Sequence, residues 1–514
     1  HQTYIHKMLT GRQKAFTDPK HYDDVSGYTN PKESEHDLFT IGHTSTSLSL
    51  ASGILHARDL KNEKSNVVAI IGDGALSGGM AYEGLNTIAT LGTNAIIIIN
   101  DNDQSIAKNP KGGIYTALER LRETKGQATN NIFKALGYDY HYLEDGNNLE
   151  EIISLFKEVK DIDHPVVLHI YTEKGKGFEP AERNHEKFHA GGPFSLETGE
   201  YIKKGTVSQT YNGITSEYLT RKLNEDPLAV VINAGTPGIV FNRKLREQLG
   251  SQFVDVGIAE EQAVTMTTGL AKNGAKPVWA VLSTFLQRTY DQLSHDMALN
   301  NQAGVVLVYS ASINSMNDES HLGFFDIPLI SHIPNFVYLA PTNKEEHLAM
   351  LEWAINQNEH PVAIRVPVGS VVETGKEDKT DYSILNKNKV EKFGEQVAIF
   401  GVGNFYNLAE EVSEQLKLEH NIEATLVNPR FLTGLDKELL NSLKENHKLV
   451  VTVEDGIVEG GYGQTVASYL GNTELKVQNY GISKKFYDRY NVEELMKENG
   501  LTVENIVKNI IESL

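Results

Sequence analysis

Apolar runs of strand length recur along the chain with helical patterns between them, and this alternation limits the fold more than any other feature. The runs are Val67 to Ile71, Ala95 to Asn100, Pro165 to Tyr171, Val278 to Val281, Val305 to Tyr309, Val397 to Phe400 and Leu449 to Val453. Strands buried on both faces read as continuous apolar segments, and parallel neighbours need a crossover, so the pattern predicts α/β units with parallel sheets covered by helices. Two polar stretches, Gly192 to Ser208 and Gly375 to Gly394, lack apolar periodicity and mark boundaries. The expected units are 1–204, 205–385 and 386–514, each near ordinary domain size.

Composition narrows the function. A formal charge of −20 disfavours binding through nucleic-acid phosphates, which draws on clustered Lys and Arg. The absence of Cys rules out disulfides, thiolate zinc sites and a Cys nucleophile. No apolar run reaches membrane-spanning length, so small-molecule partners are expected rather than membrane or nucleic acid. The opening residues, His1 to Lys7, are neither a signal peptide nor a natural start, and the chain is expected to begin inside a fold.

Chemistry concentrates first at Gly72-Asp73-Gly74, at the end of a buried strand. Open α/β sheets bind ligands there, and flanking glycines allow backbone to approach a phosphate closely. A helix from about Gly79 to Thr90 leads to the next strand, which delivers Asn100-Asp101-Asn102-Asp103-Gln104. If the two strands are parallel neighbours, Asp73 and Asn102 meet. A carboxylate and an amide oxygen are hard ligands suited to Mg2+, which completes its shell with water and phosphate oxygens. The second constellation is Asp255 to Gln262, where an extended segment opens a helix running to Gly274 with Glu260 in its first turn. The helix dipole alone would favour a carboxylate there, and a Phe such as Phe285 after the next strand would by default belong to the core.

Together these blocks resemble the 1-deoxy-D-xylulose-5-phosphate synthase family, a transketolase-like group, over nearly the whole chain. The likeness extends to His1 to Lys7 with Leu9 to Arg12, Gly42-His43-Thr44-Ser45-Thr46-Ser47, Lys174 to Glu182, Phe188-His189-Ala190 and Ser283 to Gln292. It implies thiamine diphosphate and Mg2+ as cofactors, and two thiamine-diphosphate-binding sheets followed by a transketolase C-terminal-like domain. By resemblance the metal ligands are Asp73, Asn102 and the backbone oxygen of Gln104. Cofactor contacts come from His1, Gly42, His43, Thr44, Gly72, Gly74, Ala75, Lys174, Phe178, Ile258 and Phe285. Glu260 bonds N1' of the aminopyrimidine, while His189, His321 and Arg288 act at the reacting carbonyl. The implied reaction decarboxylates a 2-oxo acid such as pyruvate and adds the two-carbon unit to an aldehyde such as glyceraldehyde 3-phosphate. The resemblance also implies a cytoplasmic homodimer serving isoprenoid and thiamine biosynthesis.

The sequence departs from the family pattern at the acceptor end. The loop before the catalytic His reads Arg-Ala-Gly-Ile-Val-Gly-Ala-Asp-Gly-x-Thr-His in the family and Ser310 to His321 here, so the Arg has become Ser310. A later Arg-Tyr-Pro-Arg-Gly appears as Arg365-Val366-Pro367-Val368-Gly369, replacing its second Arg by Val368. Both are the arginines expected to hold the acceptor phosphate. At about 1.5 to 3 kcal/mol per charge-assisted bond, their loss would weaken a phosphorylated acceptor about 100- to 10,000-fold. Arg365 is not expected to substitute, because residues three apart on an extended segment face opposite ways. Arg288 is left as a possible anion anchor. The family's N-terminal Ser-Gly-His segment is not in this sequence and Leu118 to Asn131 is shorter than the family linker, so either the sequence is partial or the site is built differently. Three functions therefore stand at this level: the family reaction, a paralogue with transketolase-like or carboligase activity on a different acceptor, an unphosphorylated one among the candidates, and a non-catalytic partner subunit. In the third unit, the Gly-rich run Gly456 to Gly463 is expected to be a turn at a domain or subunit contact.

Overall fold

A computed structural model describes residues 3–110, 112–202 and 209–514. The first sheet holds β1 (Val68–Gly72), β2 (Ala95–Asp101), β3 (Asp139–Leu143) and β4 (Pro165–Tyr171) in the order β1-β2-β4-β3, all parallel. The helix Gly79–Leu91 makes the crossover between β1 and β2. Ile71, Ile97 and Ile99 bury one face of this sheet against Leu48, Leu55, Leu85 and Ile88 from the helices Ser47–Leu60 and Gly79–Leu91. Each such side chain stabilises the fold by roughly 1.5 to 3 kcal/mol.

The second sheet contains β5 (Ala229–Asn233), β6 (Phe253–Asp255), β7 (Lys276–Leu282), β8 (Val305–Tyr309), β9 (Val337–Leu339) and β10 (Val362–Arg365), ordered β6-β5-β7-β8-β10-β9 and parallel. The third holds β11 (Lys389–Lys392), β12 (Gln396–Gly401), β13 (Thr425–Asn428), β14 (His447–Ile457) and β15 (Lys476–Ile482), ordered β11-β13-β12-β14-β15. Here the expectation of purely parallel sheets is corrected, because β11 pairs antiparallel with β13. It enters from the linker as an edge strand, with no crossover helix to force a parallel approach.

All seven strands expected from apolar runs are present, within two residues at the starts and four at the ends. Strands such as β3, Asp-Tyr-His-Tyr-Leu, and β15, Lys-Val-Gln-Asn-Tyr-Gly-Ile, escaped notice because edge positions tolerate polar side chains and leave no continuous apolar run. The second and third sheets share a core in which Trp279, Val306 and Tyr338 join Phe400, Val427 and Tyr462. Backbone bonds from Ala340 N–H to Arg430 O (2.8 Å) and Leu432 N–H to Tyr338 O (2.8 Å) tie them together. The Gly-rich turn after β14 faces this contact: a Cβ at Gly460 would lie 3.1 Å from Pro328 Cβ.

Candidate active site

Parallel pairing sets Gly72 opposite Asn100, so the chain leaves β1 and β2 at neighbouring carboxyl ends. Asp73 and Asn102 converge there. The Gln104 N–H donates to Asp73 Oδ2 and to Asn102 Oδ1, at 3.1 Å in each case, while Asn109 Nδ2 donates to Asp73 Oδ2 at 2.6 Å. Beneath them Asp101 is fully buried and bonded to His169 Nε2 (2.8 Å) and to Arg122 (2.6 Å), with Tyr140 Oη on the other His169 nitrogen (2.8 Å). This chain of bonds anchors the loop. Gly74 is required at its position, since a Cβ would stand 2.8 Å from Ser105 Cβ.

The corner fits a divalent cation. Burial and the neighbouring Asp101 charge push the Asp73 carboxyl up to about 7, so a counter-charge is what its ionised form lacks. Asn109 Oδ1 is buried with no hydrogen-bond partner among the described residues. One carboxylate with amide oxygens beside it is a hard donor set of the kind Mg2+ takes. Lys174 reaches the same loop, with Nζ donating to Ser105 O at 2.6 Å and lying 3.1 Å from His189 Nδ1. Burial lowers Lys174 to about 8, and burial with the Lys174 charge lowers His189 to about 4. His189 is therefore neutral near pH 7, with Nδ1 accepting from the ammonium.

The second cluster forms where β6 and β7 end. Glu260 begins the helix Glu260–Lys272 and is only 2% exposed. Burial raises its carboxyl above the ordinary range although Arg288, at 3.1 Å, pulls it down. Arg288 also donates to the Thr44 carbonyl. It is thus held by a carboxylate and a peptide oxygen. His43 Nε2 lies 2.8 Å from Thr284 Oγ1, which itself donates to Ser320 O (3.3 Å), so the ring nitrogen is the donor to that hydroxyl. Burial, assisted by Arg288 and His321, lowers His43 to about 4. The rings of His43, Phe285 and His321 lie 4.8 to 5.6 Å apart. Phe285 is half-buried against them, not sealed in the core. Gly42 closes the cluster, because a Cβ there would meet Ser320 Oγ at 1.9 Å.

The two clusters belong to one continuous site within a single chain. Ser77, two residues after Ala75, accepts the Ile258 N–H at 3.1 Å, and Ser45 Oγ donates to Ala75 O at 2.7 Å. Phe178 packs in an aromatic trio with Phe188 (5.5 Å) and Phe194 (5.6 Å). His1 lies outside the described residues. Sequence reasoning missed Asn109 and Tyr28. Neither has a local pattern: Tyr28 Oη reaches His321 Nε2 at 3.4 Å from a loop that Glu33 and Asp37 pin through Lys7 and Arg12. Arg365, expected to face away from the site, is buried between Asp326 (2.8 Å) and Asp455, so its charge is neutralised in place.

Parallel sheets with a buried carboxylate-amide corner and a buried glutamate at a helix start are the arrangement expected of a thiamine-diphosphate enzyme of transketolase-like fold. The comparisons agree. Residues 1–130 and 122–172 match the family model described as 1-deoxy-D-xylulose-5-phosphate synthase, residues 208–372 that of the transketolase pyrimidine binding domain, and residues 386–506 that of the transketolase C-terminal domain. The 1-deoxy-D-xylulose-5-phosphate synthase of Clostridium acetobutylicum is 38% identical over 558 residues, covering 99% of this chain and 88% of the relative. That of Caldanaerobacter subterraneus subsp. tengcongensis is 37% identical over 553 residues, covering 100% and 88%. A solved split gene transketolase, an inactive beta4 tetramer, shares the fold with a TM-score of 0.51 and 22% identity over 59% of this chain and 98% of its own. The chain belongs to the 1-deoxy-D-xylulose-5-phosphate synthase family. It is a transferase that depends on thiamine diphosphate and Mg2+.

Proposed function

We propose that the protein takes a two-carbon unit from pyruvate, with loss of CO2, and joins it to an aldehyde. The convergence of Asp73 and Asn102 on one N–H, within the chain that also carries Glu260, is the observation that supports this most. Asp73, Asn102 and the Gln104 carbonyl would hold Mg2+. Gly72, Gly74, Ala75 and Lys174 would receive the diphosphate, and His43, Thr44, Ile258 and Phe285 the rings. When bound, thiamine diphosphate supplies the electron sink for carbon-carbon cleavage and formation. Glu260 would hold a proton against N1' of the pyrimidine, and its raised affinity for protons suits sharing one. His189 and His321 would meet the reacting groups. The working units are 1–204, 205–385 and 386–514, and the enzyme is a cytoplasmic homodimer with a product used in isoprenoid and thiamine biosynthesis.

The acceptor is better read as one without a phosphate. Ser310 and Val368 bring no charge, Arg365 is enclosed by two aspartates, and Arg288 is bound to Glu260. A cavity of about 400 Å³ beside Gly42, His43 and Ser320 is lined also by Glu319, whose charge is paired with Lys32 at 2.7 Å. Steady-state assays with pyruvate and either glyceraldehyde 3-phosphate or D-glyceraldehyde test this. A kcat/KM at least equal for the neutral aldehyde is expected. A preference of 100-fold or more for the phosphorylated one would refute the unphosphorylated acceptor, and absence of pyruvate-dependent CO2 release would refute the reaction itself.

A further inference from the structure

His321 is 4% exposed, and its two ring nitrogens face different partners. Nδ1 lies 2.9 Å from Ser320 Oγ. That hydroxyl has one hydrogen and gives it to Asp318 Oδ1 at 2.5 Å. Asp318 also accepts the Ser320 N–H at 2.9 Å. Burial alone would raise the Asp318 carboxyl, but the bonds from His321 and Ser320 outweigh it and hold the group below its ordinary range. A serine whose hydrogen is already donated can only accept from the ring, so in the neutral imidazole the proton sits on Nδ1. Nε2 then carries the lone pair, and it faces Tyr28 Oη at 3.4 Å.

Tyr28 suits the complementary role. Its ring stacks on His321 with centroids 4.7 Å apart and planes 22° apart. Burial, followed by the Asp318 charge, pushes the phenol up to about 12, so it stays protonated and donates. The loop that carries it is clasped: Glu33 accepts the Ser26 N–H (2.7 Å), Asp37 accepts the Asn30 N–H (2.8 Å), and Ser26 Oγ donates to Tyr28 O (2.8 Å). Asp318 stands where the related loop pattern has Gly. The carboxylate that sets the sequence of donors is therefore a feature of this chain.

We propose that Tyr28, with the Asp318–Ser320 pair, is a positioning device that fixes His321 as the Nδ1-protonated tautomer, the phenol holding the Nε2 lone pair until a substrate hydroxyl replaces it there as donor. This resolves whether His321 donates or accepts, and it rests on the reading that places His321 at the reacting groups. A substrate hydroxyl takes the place of the phenol at Nε2, and a substrate carbonyl oxygen must find its donor elsewhere.

The test uses the full chain with thiamine diphosphate and Mg2+, its histidines labelled with 15N in the ring, and two-bond proton-nitrogen correlation spectra. His321→Gln identifies the resonance. The expected pattern is a protonated Nδ1 and a pyridine-type Nε2, with Nε2 moving in Tyr28→Phe, which keeps the stack. Carboligation of pyruvate with D-glyceraldehyde or glyceraldehyde 3-phosphate, whichever turns over faster, should lose about tenfold in kcat in Tyr28→Phe with the pyruvate KM unchanged. A protonated Nε2 in the parent protein overturns the inference. So does a Tyr28→Phe variant with unaltered spectrum and turnover while His321→Gln is impaired. Full turnover in His321→Gln instead removes the underlying reading of His321.

Discussion

Two buried carboxylates illustrate how position decides what a side chain does. Asp73 has amide donors around it and a like charge behind it, an arrangement that disfavours its ionised form until a cation arrives. In Asp73→Asn the charge-assisted metal bond is lost, and calorimetric titration of Mg2+ in the presence of thiamine diphosphate should show affinity reduced by about 10- to 100-fold. An affinity within twofold of the parent would remove Asp73 from the ligand set. Glu454 is different: no part of its residue is exposed, and it accepts the N–H groups of Tyr462 and Gly463 (3.0 Å each) at the start of the helix Tyr462–Leu470. Burial, with Asp455 adding to it, raises Glu454 to about 7. A carboxyl whose folded value lies above its unfolded one contributes fully below the unfolded value and loses that contribution as pH rises through the folded one. The window runs from about 4.5 to about 7. The melting temperature of Glu454→Gln relative to the parent should therefore climb between pH 5 and pH 8, and thermal scans showing a flat or falling difference would contradict this.

Strand pairing and tight turns build the cofactor corner at the level of elements. The crossover helix Gly79–Leu91 makes β1 and β2 neighbours, and their register carries Gly72 to Asn100, so the two loops open on the same side. The loop after β2 must then pass over Gly74 with Ser105 at van der Waals distance. A methyl group at this position would press on both Ser105 Cβ (2.8 Å) and Ser105 Cα (3.2 Å). Gly74→Ala should displace the loop that carries Asn102 and Gln104 and weaken cofactor binding by about tenfold, while far-ultraviolet circular dichroism stays unchanged. That corresponds to roughly 1 to 3 kcal/mol of overpacking. Unaltered binding of thiamine diphosphate would show that the loop can yield without loss.

Across the whole molecule, the third unit is fastened to the second through a buried charge cluster. Arg365 at the end of β10 bonds Asp326 and Asp455, Tyr338 donates to Asp326, and Asn404 donates to Asp455 at 2.8 Å. The cluster spans two sheets, so its arginine is committed to assembly and not to substrate. Removing one partner of such a group leaves uncompensated buried charge, which typically costs about 3 to 5 kcal/mol. Arg365→Met should lower the midpoint of denaturant unfolding accordingly while leaving thiamine diphosphate affinity in the surviving folded protein unchanged. A loss of unfolding free energy below about 1 kcal/mol would mean that the cluster is solvated or replaceable.

The chain itself specified the metal corner. Two apolar strands, a helix-length spacer and the terminal Gly-Asp-Gly and Asn-Asp-Asn segments suffice, because strand adjacency and side-chain periodicity are properties of nearby residues. Glu260 and Phe285 were singled out only through the family resemblance, because the helix dipole and an apolar core account for such residues locally. Other features depended on closure of the fold. Arg288 meets Thr44 across 244 positions and Tyr28 meets His321 across 293, distances over which no periodicity carries information. Arg365 is read in sequence only as facing away from the site, and it becomes a buried tie when β10 is laid against the third sheet. Sequence sets which groups can do chemistry, and packing decides which of them remain available, because a charge is free or spent according to neighbours that only the closed fold supplies.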